Sequence, residues 1–136
     1  MQIHATLSRF MDKGILFVGP SGAGKSTAAL LLVDAGGKLV ADDQVIIDDT
    51  EGVLVGSCPE TIKGKMEVRG VGIVDMLCLK SSSIDLVVEL VQSVHDVPRM
   101  QEFGLYTIGS KSIQSLALCA FDAAFVAKIK IVLQQM

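Results

Sequence analysis

A glycine-rich loop between an apolar run and a helix-forming segment constrains this chain more than any other feature. The loop "GPSGAGKS", residues 19–26, fits the pattern GxxxxGK[ST] at every position. The run before it, "GILFVG" at 14–19, does not alternate with polar residues, which is typical of a strand buried on both faces. The segment after it, "TAALLLVDAG" at 27–36, contains good helix formers and is followed by Gly37, so two glycines mark the helix end. The order strand, loop, helix predicts a phosphate-binding P-loop.

The residue types in this loop suit the binding of a polyphosphate. Glycines let the backbone curl until successive N–H groups point toward phosphate oxygens, and the positive end of the following helix adds to the same position. Lys25 supplies an ammonium group for the β- and γ-phosphates, and Ser26 supplies a hydroxyl oxygen for Mg²⁺. The residues expected to hold the nucleotide are Gly19, Pro20, Ser21, Gly22, Ala23, Gly24, Lys25, Ser26 and Thr27.

The composition is that of an ordinary globular domain. The chain has 136 residues, half of them apolar and 20% charged, with a net charge of −3. This suits one domain over 1–136 and offers no basic block for nucleic acid or an anionic membrane. The scattered cysteines are typical of reduced thiols in a cytosolic protein, and no apolar run reaches the roughly 18 residues of a membrane span. With no signal-peptide pattern either, we expect a cytoplasmic protein without nucleic-acid or membrane partners.

Two adjacent carboxylates, Asp42 and Asp43, follow the next predicted strand, "KLVAD" at 38–42. If the P-loop helix connects two parallel strands, both strands end at the sheet edge where ligands of open α/β sheets bind. Side chains alternate along a strand, so the two carboxylates are expected to point to different places. One can face Mg²⁺, directly or through water, and the other can accept a proton from an incoming hydroxyl. A solvated strand-to-turn corner is the alternative interpretation.

The other segments predict a mixture of strands, loops and one helix. "QVIIDDTEGVLVG" at 44–56 indicates a hairpin that turns at Asp49–Gly52, and "MEVRGVGIVDM" at 66–76 indicates a loop feeding a strand. "IDLVVELV" at 84–91 predicts a strand, and "HDVPRMQEFG" at 95–104 predicts a loop. The tail "FDAAFVAKIKIVL" at 121–133 has helical character, with one predicted side formed by Phe121, Phe125, Lys128 and Val132.

Taken together, "GPSGAGKS", "LVADD" and "MEVRGVGIVD" resemble the catalytic domain of HPr kinase/phosphorylase. That family phosphorylates a serine of HPr, the small carrier protein of the bacterial sugar phosphotransferase system, and can reverse the reaction with inorganic phosphate. The resemblance implies an α/β, P-loop kinase-like fold with a mixed sheet, related to phosphoenolpyruvate carboxykinase. It also implies ATP and Mg²⁺ as cofactors, an HPr-like phosphocarrier protein as partner, and a homo-oligomer, commonly a hexamer. The match is closest from about His4 to Asp75.

The resemblance further implies roles for individual residues. Asp43 matches the residue that accepts a proton in the kinase direction and donates it in the reverse one. Arg99, in "VPRMQE", matches the catalytic arginine. The implied catalytic residues are His4, Lys25, Asp43 and Arg99, and the implied Mg²⁺-linked residues are Ser26, Asp42 and Glu67.

The sequence also departs from the family pattern. The resemblance begins at about His4, so we expect a compact form without the family's usual N-terminal domain, similar to those of proteobacteria. Pro20 stands where longer enzymes usually carry Asp. The Gly-Arg-Asn element linked to dephosphorylation is replaced by "TIGSKSIQSLAL" at 107–118. We therefore expect the kinase direction, and the missing element argues against reverse phosphorolysis.

Two other functions are compatible with a P-loop. A kinase for a small metabolite usually closes an arginine-rich lid over the phosphates, and this chain has only three arginines. A nucleotide-sensing module without turnover would have no physical need for Asp43 and Glu67 beside Lys25. Both alternatives are weaker than a protein serine kinase.

Overall fold

The computed structural model describes residues 1–49 and 52–136. Within them lie two α-helices, α1 (Lys25–Asp34) and α2 (Phe125–Gln134). The strands are β1 (Gln2–Ile3), β2 (Thr6–Phe10), β3 (Lys13–Val18), β4 (Lys38–Ala41), β5 (Val45–Asp48), β6 (Val55–Ser57), β7 (Lys65–Val68), β8 (Gly72–Asp75), β9 (Ser81–Ser83), β10 (Leu86–Leu90), β11 (Gly104–Ile108) and β12 (Lys111–Leu118). None of the helices formed by these residues is long and apolar enough to span a membrane.

The central layer is a six-stranded sheet with the order β11-β12-β10-β3-β2-β4. β10 runs parallel to β3 and β12, whereas β2 is antiparallel to β3 and β4, and β11 is antiparallel to β12. A second sheet has the order β1-β5-β6-β9, and β7 and β8 form a separate hairpin. The prediction of an α/β fold with a mixed sheet is confirmed. The relation to phosphoenolpyruvate carboxykinase stays a prediction.

The strand before the P-loop is buried on both faces, as its unalternating sequence predicts. Ile15 and Phe17 of β3 join one core cluster together with residues of α1 and α2, so both helices cover this face. Leu16 and Val18 belong to another cluster that includes residues of β5, so the four-stranded sheet covers the opposite face. The P-loop therefore extends from the centre of a three-layer arrangement.

The N-terminal strand β2 was not predicted, and it changes the expected topology. β3 and β4 are parallel, as predicted, but β2 lies between them and pairs with both. A two-residue turn connects β2 to β3, with φ of 52° at Met11 and 63° at Asp12, as in type I′ hairpin turns. Thr6, Ser8 and Arg9 make β2 polar in sequence, yet the Arg9 guanidinium donates to Ser82 Oγ at 3.0 Å. Side-chain pairing of this kind cannot be seen in hydropathy.

Two further predictions need correction. Residues 66–68 are not a loop, because β7 pairs with β8 in a hairpin whose turn is limited to residues 69–71. In the tail, the helix begins only at Phe125, and its buried side is formed by Phe125, Ile129 and Leu133. Phe121 precedes the helix. Lys128 is exposed because the buried side of the helix follows a spacing of four residues that starts at Phe125.

The strands predicted at 38–42 and 84–91 are present, and the hairpin at 44–56 is formed by β5 and β6. Its predicted turn includes Thr50 and Glu51, which lie outside the described residues.

Burial along α2 leads to a stability prediction with a matched control. Ile129 is fully buried, whereas Ile131 on the same helix is 58% exposed. We expect Ile129→Val to lower the free energy of unfolding by about 0.5–1.5 kcal/mol. The same change at Ile131 should stay within about 0.5 kcal/mol of the unmodified chain. Urea unfolding checks both values, and equal losses at the two positions would contradict the assigned buried side.

Candidate active site

The P-loop has the backbone of an anion-binding turn. Gly22 and Gly24 adopt φ of 83° and 99°, which residues with a β-carbon rarely adopt. The N–H of Ala23 donates to the carbonyl of Pro20 at 3.1 Å and closes the turn. Gly24 caps α1 without any side-chain hydrogen bond, so the first N–H groups of the helix stay available for an anion.

The ammonium group of Lys25 lies inside this loop. Lys25 is only 8% exposed, and its Nζ donates to the carbonyl oxygens of Gly19 at 2.8 Å and Pro20 at 3.1 Å. These bonds use two of the three ammonium protons. A buried cation at a helix N-terminus attracts anionic oxygen strongly, since little water screens it.

Asp42 is buried beneath the P-loop and connects three parts of the fold. Its carboxylate is 6% exposed and accepts hydrogen bonds from Thr6 Oγ1 at 2.9 Å and from Ser26 Oγ at 2.8 Å. The backbone N–H of Glu67 adds a longer contact of 3.4 Å. Asp42 thus fixes the Ser26 hydroxyl from below while it ties β2, α1 and β7 together.

The side chain of Asp43 points away from that of Asp42, as predicted, but strand alternation is not the cause. The strand ends at Ala41, and Asp43 adopts a left-handed conformation with φ of 75°. That turn, rather than strand alternation, directs its side chain outward, where it is 65% exposed. Its Oδ1 lies 2.7 Å from His4 Nε2. The N–H of Ala5 also donates to the carbonyl of Asp43 at 3.2 Å, which holds the two segments side by side.

These groups surround one cavity of about 280 Å³. Its lining consists of His4, Ser21, Gly22, Gly24, Lys25, Ser26, Thr27, Asp43, Glu67, Arg69 and Phe121. Most of the predicted site residues therefore meet at one place. Gly19, Pro20 and Ala23 shape the loop without lining the cavity, and Asp42 reaches it through Ser26.

Of the four predicted catalytic residues, Arg99 is the one that does not line this cavity. It lies in the loop between β10 and β11 and lines a separate groove of about 490 Å³ beside α2. Arg69 of the β7–β8 turn lines the P-loop cavity instead. Sequence reasoning missed Arg69 as a site residue, although its place in "MEVRG" two positions after Glu67 was a usable signal. Phe121 was missed as well.

The oxygen-rich donor set suits Mg²⁺ better than a softer metal. Ser26 offers a hydroxyl that is hydrogen-bonded to the Asp42 carboxylate, and Glu67, a further carboxylate residue, lines the same cavity as Ser26. In the part of the chain that the structure describes, no group of three or more His, Cys, Asp or Glu side chains could enclose a metal. Mg²⁺ typically has few protein ligands and completes its shell with water and substrate phosphates. The residues present therefore fit Mg²⁺ bound together with a polyphosphate.

Comparison with known proteins agrees with this geometry. A sequence model of the family described as the HPr Serine kinase C-terminal domain matches residues 1–115. The chain belongs to this family. The predicted family membership is thus confirmed, and the match extends well beyond the segment 4–75 where the motifs are closest.

Individual relatives show the same likeness. The HPr kinase/phosphorylase of Clostridium acetobutylicum is 44% identical over 98 residues, which are 67% of this chain and 32% of that protein. That of a Geobacillus species is 50% identical over 78 residues, covering 57% of this chain and 25% of that protein. The chain thus spans about a third or less of the curated relatives it matches. The solved HPr(Ser) kinase/phosphatase from Coxiella burnetii superposes with a TM-score of 0.85 at 21% identity, covering 99% of this chain and 90% of that one. This likeness shows the fold.

Proposed function

We propose that this chain transfers the γ-phosphoryl group of ATP, with Mg²⁺, to a serine hydroxyl of an HPr-like phosphocarrier protein. Family membership and the names of the relatives support this acceptor. The observation that carries the proposal is the pair Asp43 and His4, 2.7 Å apart at the wall of the P-loop cavity. A carboxylate held there, exposed to a partner, is what activation of an incoming hydroxyl requires.

The phosphate end of the nucleotide would be held by the P-loop and Lys25. Phosphoryl transfer depends on positioning and charge neutralisation more than on covalent chemistry. The backbone N–H groups at the start of α1 and the ammonium of Lys25 would bind the phosphate oxygens. When bound, Mg²⁺ supplies further neutralisation of the phosphate charge, and Ser26, Asp42 and Glu67 would hold it. Asp42 also keeps the Ser26 hydroxyl in a fixed position.

Asp43 would act as the proton acceptor and His4 as its positioning partner. In the kinase direction the Asp43 carboxylate takes the serine proton as the serine oxygen attacks the γ-phosphorus and the bond between that phosphorus and the leaving ADP oxygen breaks. In the reverse direction the same group returns the proton to the serine oxygen. The hydrogen bond from His4 orients Asp43 toward the cavity, and the left-handed backbone at Asp43 keeps its carboxylate away from Asp42. The exposed position of Asp43 leaves room for a protein acceptor. We further propose that the chain assembles with copies of itself, as the family resemblance implies.

Transfer of label tests this proposal directly. Purified chain, radiolabelled ATP, Mg²⁺ and an HPr-like protein should produce phosphoserine on the acceptor, and Lys25→Ala should abolish the signal. Inorganic phosphate added afterwards would show whether the reverse reaction operates. Tight ATP binding without labelling of the acceptor would contradict the proposed transfer and favour a sensing role.

The position of the two arginines gives a separate prediction. Arg69 lines the P-loop cavity, whereas Arg99 lies in another groove. We expect Arg69→Ala to weaken ATP binding by about tenfold, since a cation near the phosphates is lost. In the same assay Arg99→Ala should leave ATP affinity within about twofold. Titration calorimetry with ATP and Mg²⁺ measures both, and a larger effect of Arg99 would mean that it reaches the phosphates in an arrangement beyond the single chain.

A further inference from the structure

Phe121 is an exposed aromatic side chain at the wall of the phosphate cavity. It is 56% exposed and lines the same cavity as Lys25 and Ser26. Its ring lies directly against the P-loop, because a β-carbon built at Gly24 would be 3.1 Å from Phe121 Cζ. The other described residues that line this cavity are glycines or carry polar or charged side chains. Phe121 therefore provides its apolar surface.

The chain around Phe121 is held firmly, so its exposure is not the result of a loose loop. Ala120 and Phe125 on either side are 2% and 1% exposed, and the Phe125 ring packs against Phe17 with centroids 6.0 Å apart. The Asp122 carboxylate accepts the N–H of Ala124 at 2.9 Å and the ammonium of Lys128. The hydrogen bond from Lys128 is the largest cause that lowers the pKa of Asp122, so the Asp122 carboxylate is ionised at neutral pH. The neighbours of Phe121 are thus held in place by burial and hydrogen bonds, while its aromatic ring stays exposed to solvent beside the P-loop.

We propose that Phe121 is the surface on which the base of the bound nucleotide stacks. The inference rests on the proposed function and assigns a contact to the nucleotide base, for which the P-loop provides no partner. A nucleotide has an anionic end, which Lys25 and Ser26 can hold, and a flat aromatic end. The cavity of about 280 Å³ is at the small end for ligand sites, which suits phosphates inside and a base on the exposed ring at the wall.

Stacking also determines what the site can distinguish. Every base presents a π-face, so a ring platform binds bases with little regard to their edges. Among the described residues that line the cavity, Phe121 carries the one large apolar side chain, and its ring lies beside Gly24. We therefore expect ATP and GTP to bind with affinities within about threefold of each other and to depend equally on Phe121.

The first test uses fluorescence at the proposed contact. The chain contains no tryptophan, so Phe121→Trp introduces a single indole reporter. Stacked adenine should quench its emission on addition of ATP, while tripolyphosphate, which lacks a base, should bind without comparable quenching. Ile131→Trp, on the outer side of α2, is the matched control and should respond to neither ligand. Equal responses of Phe121→Trp to ATP and tripolyphosphate would overturn the proposal.

The second test compares affinities without a reporter. Phe121→Ala should weaken ATP and GTP binding by about tenfold and leave tripolyphosphate binding within about twofold, while Phe121→Tyr restores nucleotide affinity. Unchanged ATP affinity in Phe121→Ala overturns the stacking role. Loss of ATP and tripolyphosphate together also overturns it, because it indicates damage to the loop. If the unmodified chain binds neither ligand, the proposed function itself fails, and this outcome is distinct from the other two.

Discussion

Asp43→Asn should slow phosphoryl transfer to a serine acceptor by about 100- to 10,000-fold, with ATP affinity within about twofold of the unmodified chain. Asparagine keeps the size of the side chain and tolerates the left-handed φ of 75° at this position. It cannot take up the serine proton. The substitution thus removes the proposed base with little change in geometry. Single-turnover transfer from labelled ATP, with nucleotide binding measured in parallel, separates the two effects.

Two variants make this experiment specific. Asp49→Asn changes a half-buried carboxylate that does not line the P-loop cavity and accepts a hydrogen bond from Ser110 Oγ at 3.0 Å. This variant should transfer at the normal rate. His4→Ala removes only the partner of Asp43 and should cost less than Asp43→Asn, with a changed pH profile of kcat. A normal rate in Asp43→Asn would show that another group, or none, accepts the proton.

Asp42→Asn should raise the Mg²⁺ concentration needed for ATP binding by about 10- to 100-fold. The substitution replaces one carboxylate oxygen by an amide nitrogen, which can only donate, although Thr6, Ser26 and the N–H of Glu67 all donate to this group. The Ser26 hydroxyl then loses its fixed position, and the metal loses a negative charge. Calorimetric titrations with ATP over a series of Mg²⁺ concentrations measure the shift.

Thr6→Val is the matched control for the fold. It removes the hydroxyl that donates to Asp42 at 2.9 Å but leaves the carboxylate in place. We expect a loss of about 1–3 kcal/mol in the free energy of unfolding, with a smaller change in Mg²⁺ dependence than in Asp42→Asn. Equal Mg²⁺ dependence in Asp42→Asn and the unmodified chain would exclude Asp42 from the metal site.

The parts of the fold that sequence reasoning recovered are those with a strong local signal. The run at 14–19 and the helix after the P-loop have clear hydrophobic and helical patterns, and both were located correctly. β2 was missed because Thr6, Ser8 and Arg9 look like a polar surface segment. Their partners are remote in sequence, as the hydrogen bond between Arg9 and Ser82 shows. The hairpin of β7 and β8 was partly missed because Gly70 and Gly72 suggested a longer loop than the three-residue turn that forms.

The site was predictable where chemistry and spacing coincide. The P-loop pattern defined Lys25 and Ser26, and the position of Asp42 and Asp43 after a strand placed both near them. The resemblance was needed for His4, whose contact with Asp43 spans 39 positions. The resemblance also suggested Arg99, which lines a different groove in the structure of the single chain. Phe121 could not be recognised, because an aromatic residue in an apolar tail is normally part of the core.

The contacts of Asp42 have a consequence for the unfolding thermodynamics of the chain. Its hydrogen-bond donors lie 36, 16 and 25 positions away in the sequence. Such a cluster exists only after the chain has collapsed into its native topology, so the denatured ensemble offers no equivalent site. A ligand of this site therefore binds the native state alone and stabilises it by mass action, by about 2.7 kcal/mol at one hundred times its dissociation constant. The rise in melting temperature therefore reports how much of the site is occupied, even for ligands that are never turned over.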